Sequence, residues 1–310
     1  MMFRQGSGMP MIAVVGSVNL DLVVPVPHHP RPGETVLGGA LVEHPGGKGA
    51  NQAVAAARLG AQVAMVAMVG ADTAGERLRK ALEAEGVDIE RVLMEHGTAS
   101  GQALIAVDET SGENSIIVSP GANSALAPEH CAAAGALLRD ASVTLLQQEI
   151  PTETVEAAAR LAAGIVLLNP APARPLSAAL LEMVDVLVPN REELAALVGH
   201  PLPDLHAVAD AARTLRGPAA VVVTLGGDGA LICEEGAIHV VPPLPVTPLD
   251  TTAAGDAFCG ALAVALAEGR PLHEAVRRAN ATAALATTRP GAQPSLPTRA
   301  EVEQLLWHPF

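Results

Sequence analysis

Asp250-Thr251-Thr252-Ala253-Ala254-Gly255-Asp256-Ala257-Phe258-Cys259-Gly260 is the stretch around which the chain is organised. Two threonines lead into small residues, and Gly255 and Asp256 then open an alanine-rich apolar segment, Phe258 to Ala267, with the composition of a buried helix. The pattern predicts a helix N-terminus that carries an aspartate. Free N–H groups and the helix dipole at such an end attract anions, and small residues let a ligand reach the backbone. A carboxylate placed there repels phosphate, which makes chemical sense if it receives a proton. The chemistry indicated is phosphoryl transfer to a hydroxyl: Asp256 takes the proton, and the amides of Ala253, Ala254, Gly255 and Asp256 stabilise the moving charge. A second reading stays open on local sequence, because aspartate is also favoured at helix starts as a cap.

Outward from this stretch, 310 residues are enough for one large or two modest domains with a full core. Apolar residues make up 49% of the chain, much of it alanine, and no apolar run reaches the roughly 18 residues of a membrane span. Met1 to Pro10 is too polar and glycine-broken for the core of a secretory leader. Cys131, Cys233 and Cys259 are widely spaced and odd in number, which points to a reducing compartment, the cytoplasm, without a disulfide framework or zinc cluster. Cys259 reads as a small packing residue of the helix. A formal net charge of -14 argues against a nucleic-acid partner, so an anionic ligand must be held by amides and a few cations. Lysine is scarce, with Lys48 and Lys80 alone.

Strand-like apolar runs recur at Met11–Val15, Val63–Val69, Val143–Leu146, Ile165–Leu168, Val184–Val188 and Ala219–Thr224. Helical stretches lie between several of them, at Ala50–Leu59, Ala74–Glu85, Thr152–Ala162, Arg191–Val198 and Ala207–Leu215. The alternation predicts an α/β fold, a doubly wound and mainly parallel sheet flanked by helices. Leu20–Val26 with Thr35–Val42, and Gln102–Val107 with Ser115–Ser119, break the alternation and read as hairpins of a small separate β-sheet. One domain over residues 1–310 is expected, with a discontinuous lid from about 20–45 and 100–120 covering the strand ends where such sheets bind ligands. A lid would exclude the water that competes with a sugar hydroxyl.

Gly46-Gly47-Lys48-Gly49-Ala50-Asn51 is the second motif. Its glycines allow a tight turn against a ligand, but the spacing is not that of a Walker A loop, and Gly49 stands where a magnesium-binding hydroxyl would be. Lys48 and Asn51 can bind hydroxyls of a polar substrate; the alternative is a glycine-rich turn with an incidental lysine. Asn19 and Asp21 face one side of an extended segment and suit a polyol, or else an Asx turn. Glu149 follows a strand and binds another hydroxyl or is a solvated loop acid. Asn190 and Glu193 fit a capping box, while Glu193 could also hold a hydrated magnesium. The turn Thr224-Leu225-Gly226-Gly227-Asp228-Gly229 suits a nucleotide against the backbone, or a plain hairpin into Ala230–Cys233.

Together these residues resemble the ribokinase family of carbohydrate kinases. The resemblance runs from Val14-Val15-Gly16-Ser17-Val18-Asn19-Leu20-Asp21 through Pro32-Gly33-Glu34-Thr35, Gly46 to Ala53 and Asn169-Pro170-Ala171-Pro172-Ala173. It continues through Pro189-Asn190 and Asp250 to Asp256 to Gly291-Ala292-Gln293-Pro294-Ser295, nearly the whole chain in order. The resemblance implies ATP-dependent phosphorylation of D-ribose at its 5-hydroxyl, with Asp256 as base and Ala253, Ala254 and Gly255 in the anion hole. Asn19, Asp21, Gly47, Lys48, Gly49, Asn51 and Glu149 would bind ribose. Asn190, the turn Thr224 to Gly229, Gly255 and Asn280 would contact ATP, and Glu193 would organise Mg2+ indirectly. A monovalent cation, K+, would be held by Asp250, Thr252, Ala286, Arg289, Gly291 and Ser295. The family also implies a homodimer through the lid sheet. Two departures stand out: Asp228 adds negative charge to the nucleotide turn, and Asn280 stands where some relatives have histidine. Gln102 is a further candidate to touch substrate from the lid. With aromatics at 1%, aliphatic packing must hold the adenine.

Overall fold

Apolar runs buried on both faces specify a sheet covered on both sides. The computed structural model describes residues 11–307. The reading of Met1 to Pro10 lies outside the described residues. In chain order the strands are β1 (Met11–Val15), β2 (Asn19–Val26), β3 (Val42–Gly46), β4 (Gln62–Gly70), β5 (Asp88–Glu95), β6 (Gly101–Asp108) and β7 (Asn114–Ser119). They continue as β8 (Val143–Leu146), β9 (Ile165–Leu168), β10 (Val186–Leu187), β11 (Ala220–Thr224), β12 (Ala230–Glu234) and β13 (Ala237–Val241). The main sheet has nine strands in the order β13-β12-β11-β10-β9-β8-β1-β4-β5, parallel from β11 to β5 and antiparallel at β12 and β13. This is the expected α/β class. Alternate residues of β1 serve the two layers: Ile12 and Val14 join one buried cluster, Ala13 and Val15 the other.

The expected helices form, at Lys48–Arg58, Thr73–Ala84, Thr152–Leu161, Arg191–Val198 and Leu205–Thr214. The helix Ala254–Ala267 is buried along almost its whole length, packed between Lys48–Arg58 and Leu272–Thr287. Its contact with Lys48–Arg58 requires Gly260. A Cβ there would lie 2.7 Å from the Ala55 Cβ and 2.8 Å from the Gln52 carbonyl oxygen. The two backbones touch at a point where any side chain would hold them apart.

A second sheet has four strands in the order β3-β2-β6-β7. The β6–β7 hairpin is as expected, but β2 and β6 pair in parallel, joining the two segments into one sheet. The expected strand Thr35–Val42 is not formed. The partner of β2 is Val42–Gly46, with Val23 opposite Val42 and Asn19 opposite Gly46. Pro45 disguised it in the sequence, and proline is tolerated because β3 is an edge strand. Strands β5 and β13 were also not anticipated. Both are outer edges of the main sheet, so little of either is buried and the apolar signal is short.

Candidate active site

The site assembles at the C-terminal ends of β1, β8, β9 and β11, where the loops leaving each strand converge on the start of the Ala254–Ala267 helix. Ala253 caps that helix with left-handed backbone, φ 58° and ψ 10°. A residue with a Cβ is uncommon there, and the conformation turns the following amides into open space. The Ala254 N–H is not available to a ligand, because it donates to the Thr251 carbonyl at 3.2 Å. That corrects the expected set of four amides: among the described residues, Ala253, Gly255 and Asp256 keep theirs free of protein partners. A Cβ on Gly255 would meet nothing within 4 Å, so its missing side chain serves the cavity and not the fold.

Three cavities meet at this helix start. The first, about 360 Å³, runs from Thr224, Gly226 and Gly227 past Pro243, Leu244 and Val246 to Asn280 and Gly255. The second, about 230 Å³, shares Thr224, Thr251 and Gly255 with the first and adds Asn190, Glu193 and Lys48. The third, about 210 Å³, shares Lys48, Ala253 and Asp256 with the second and adds Asn19, Asp21, Asn51 and Glu149. The path therefore passes from an aliphatic chamber, over free amides and Asp256, into a chamber of amides and carboxylates. The aliphatic wall agrees with the near absence of aromatics.

Asp256 is buried, and each of its carboxylate oxygens is held: Asn51 Nδ2 donates to Oδ2 at 2.9 Å and Gln52 Nε2 to Oδ1 at 2.9 Å. Its role as a mere cap is not realised, since its side chain bonds another helix. Burial raises its pKa above the ordinary carboxylate range, against the opposing pull of Lys48 and the two amides. Burial alone would pull Lys48 down, but Asp256, Glu149 and Glu193 outweigh it and keep the ammonium charged. Lys48 thus sits at the junction of two cavities as the cation of a carboxylate cluster.

In the polar chamber, Asp21 carries a pKa raised to about 7, first by burial and then by Glu149 and Asp256, with Lys48 lowering it in part. Glu149 Oε2 accepts from Ser17 Oγ at 2.6 Å and from the Lys48 N–H at 3.1 Å, which ties it to the glycine turn. Gly49 lies so close to Ser17 that an added Cβ would fall 2.6 Å from its nitrogen, and Gly47 has φ 89°. Their glycines are therefore dictated by backbone approach and conformation. Asn19 Oδ1 accepts from Asn123 Nδ2 at 2.7 Å, so Asn19 presents its own N–H groups to the chamber. Gln102 pairs with Leu20 in the register that puts Asp21 beside Ala103. It therefore faces away from the chamber lined by Asp21 and Ala103, and does not touch this site.

In the outer chambers, Asn190 and Glu193 form the reciprocal capping box, with Asn190 Oδ1 accepting at 2.7 Å and Glu193 Oε2 at 2.8 Å. Glu193 nonetheless lines the middle cavity, and burial raises its pKa while the Asn190 N–H and Lys48 oppose the rise. One carboxylate facing the cavity suits a hydrated magnesium. Leu225 and Asp228, expected at the nucleotide, do not line the cavity. Leu225 packs against the core below the turn, and Asp228 is exposed with Arg191 4.0 Å away. The glycine turn leads into the β11–β12 hairpin, and its Thr224, Gly226, Gly227 and Gly229 also line the cavity. Asn280 Nδ2 donates to the carbonyls of Val241 and Pro242 at 3.3 and 3.2 Å, which anchors the proline-rich loop over the aliphatic chamber.

Asp250, Thr252 and Gly291 are brought together. Asp250 accepts from the Thr252 N–H at 2.8 Å and the Gly291 N–H at 2.7 Å, and these bonds lower its pKa although burial opposes them. Ala286 accepts from the Arg289 N–H at 3.3 Å, and Ser295 Oγ donates to the Ala292 carbonyl at 2.8 Å. The Arg289 side chain is engaged elsewhere, with Glu301 at 2.6 Å. The Asp250 carboxylate, fixed by the Thr252 and Gly291 N–H groups, is a hard oxygen donor of the kind that suits a hard cation. Sequence reasoning missed Gln52, Asn123, Gln147 and Asn169 as parts of the site. The only local signal was polar residues directly after buried strands, at Gln147 and Asn169.

Comparison with known proteins identifies the family. A family model described as pfkB family carbohydrate kinase matches residues 9–299. The Bacillus subtilis ribokinase is 43% identical over 298 residues, 95% of this chain and 99% of that protein. The Haemophilus influenzae ribokinase is 40% identical over 302 residues, 96% of this chain and 98% of that protein. The structure of Arabidopsis thaliana ribokinase complexed with ribose and ATP superimposes with a TM-score of 0.87 at 33% identity, covering 97% of this chain and all of that one, 100%. With the family match spanning almost the whole chain and the relatives matched end to end, the chain belongs to the pfkB family of carbohydrate kinases.

Proposed function

We propose that this kinase transfers the γ-phosphoryl group of ATP to the 5-hydroxyl of D-ribose, giving D-ribose 5-phosphate. The observation that carries the reading is the continuous path in which Asp256 and the free amides stand between an aliphatic chamber and a chamber of hydroxyl-binding groups. Adenine packs against Pro243, Leu244 and Val246, and the phosphates lie along the glycine turn toward Gly255. Asn19 donates to the sugar, and Asp21 and Glu149 accept from it. Asp256 receives the 5-hydroxyl proton, while the N–H groups of Ala253, Gly255 and Asp256 and the Lys48 ammonium stabilise charge on the transferring group.

Glu193 would hold Mg2+ through water, and the ion would neutralise phosphate charge. Asp250 with the carbonyls of Thr252, Ala286 and Gly291 would hold K+ and order the loop that carries the anion hole. The four-stranded sheet acts as a lid belonging to the same single domain. Its outer face leaves Leu104 and Ile117 exposed, which supports pairing of two copies through that face. Among the described residues no helix is long and apolar enough to cross a membrane.

The test is ATP consumption by the purified protein with magnesium and potassium, against ribose, 2-deoxyribose, fructose and adenosine, with the product identified. Ribose 5-phosphate made in clear preference is the expected result. Turnover on another acceptor keeps the chemistry and moves the error to Asn19 and Asp21. Asp256→Asn should lower turnover by roughly 10²- to 10⁴-fold with ribose still bound, and near-normal turnover removes the base.

A further inference from the structure

Gln52 is fully buried and stands beside Asn51 in the first turns of the Lys48–Arg58 helix. Adjacent helical residues diverge by about 100°, yet both side chains reach the same carboxylate, Asn51 at Oδ2 and Gln52 at Oδ1. One hydrogen bond leaves a carboxylate free to turn about its Cβ–Cγ bond; two, from different directions, fix its plane. The close approach at Gly260, one turn along the Asp256 helix, brings the helices near enough for both bonds.

The orientation of the Gln52 amide is set from behind. Gln147 Nε2 donates to Gln52 Oε1 at 2.6 Å, so the Gln52 nitrogen must face Asp256. The same nitrogen reaches Asn169 Oδ1 at 3.2 Å, and Asn169 Nδ2 donates to the Val188 carbonyl at 2.9 Å. Gln147 follows β8 and Asn169 follows β9, so a chain of buried amides runs from the ends of two central strands to the carboxylate.

We infer that Gln52, oriented by Gln147 and Asn169, is a positioning residue that aims the Asp256 carboxylate at the acceptor hydroxyl and keeps it ionised. The inference rests on the reading of Asp256 as general base. An acceptor-only carboxylate is stabilised in its charged form by an amide N–H. Other charged or titratable groups also act on it: Lys48 on the same helix as Gln52, Glu149 after β8, Glu193 on the Arg191–Val198 helix, Asp21 on β2, and Cys259 on its own helix. Lys48 and the Asn51 N–H favour the ionised form, Glu149 opposes it, and the Cys259 thiol is held neutral by its own burial, so when the Gln52 donor is lost no further group is there to replace it.

The test is the pH dependence of single-turnover phosphoryl transfer to ribose in Gln52→Met and Gln147→Met, with sugar affinity and thermal stability measured on the same samples. Gln52→Met keeps length and apolar bulk but loses the donor. Turnover at neutral pH should fall by roughly 10- to 100-fold, the acid limb should move up by about one pH unit, and sugar affinity should change less than about threefold. Gln147→Met, which touches no part of Asp256, should shift both in the same direction by a smaller amount, and it decides the matter if Gln52→Met does not fold. An unchanged acid limb and turnover in a folded variant overturns the inference, as does a loss of thermal stability with an unmoved pH profile. Near-normal turnover in Asp256→Asn is a separate result, which would remove the base itself.

Discussion

Gly260→Ala tests the idea that helix contact, and not helix propensity, dictates this residue. In an ordinary helix interior the change would stabilise by roughly 0.8–1 kcal/mol. Here the new Cβ would lie 2.7 Å from the Ala55 Cβ, 2.8 Å from the Gln52 oxygen and 3.1 Å from the Ala56 nitrogen. Ordinary contact is about 3.5–4.0 Å, so the helices must part by roughly 1 Å. Two of the three contacts are backbone atoms of a helix, which cannot swing aside. Overpacking of this kind costs about 1–3 kcal/mol, and with rigid neighbours the upper end applies. The net loss is then about 2 kcal/mol, a fall in Tm of roughly 3 °C for a chain of this size. The parting also lifts Asp256 from Asn51 and Gln52, and a displacement of about 1 Å at the reacting group lowers turnover by up to roughly 10²-fold. Differential scanning calorimetry and steady-state kinetics on the same preparation check both numbers. An unchanged or higher Tm with full turnover would refute the reasoning.

Two further expectations follow from the site. Asp21 has its pKa raised from 3.8 to about 7, so the stability its neutral form contributes is present below pH 4 and is lost as pH rises through 7. Between pH 4 and 8 the ligand-free protein should therefore lose on the order of 1–4 kcal/mol more than Asp21→Asn; parallel curves from thermal melts across that range would remove the assignment. Gly255→Ala meets no protein atom within 4 Å, so it should fold as well as the parent or slightly better. Its methyl group would enter the junction between chambers, so turnover should drop by roughly 10²-fold, and normal turnover would mean that no ligand passes over Gly255.

Much of the fold was legible because central strands declare themselves. Val143–Leu146 and Ile165–Leu168 form as read, since a strand buried on both faces is a continuous apolar run. The edges were not legible: Val42–Gly46 contains a proline, and Asp88–Glu95 mixes charges into a half-exposed strand. The same division holds at the site. Asp256, Lys48, Asn19 and Asp21 were readable from residue type and position after strands or before helices, whereas Leu225, Asp228 and Gln102 have the right neighbours in sequence and the wrong direction in space.

The sequence by itself determined the α/β class and the groups able to do chemistry, because strand and helix periods and glycine turns are local properties of the chain. It also carried the order of motifs by which the family is recognised. Only the tertiary structure decided which of those groups meet. The bonds that aim the carboxylate join residues 204 and 205 positions apart, and the amide behind Gln52 comes from 95 positions away. A glutamine whose partner lies that far along the chain looks, in sequence, like any polar residue on a helix. Its role exists only once Gly260 has let two helix backbones touch, because side-chain hydrogen bonds depend on distances of a few tenths of an ångström that no local pattern encodes.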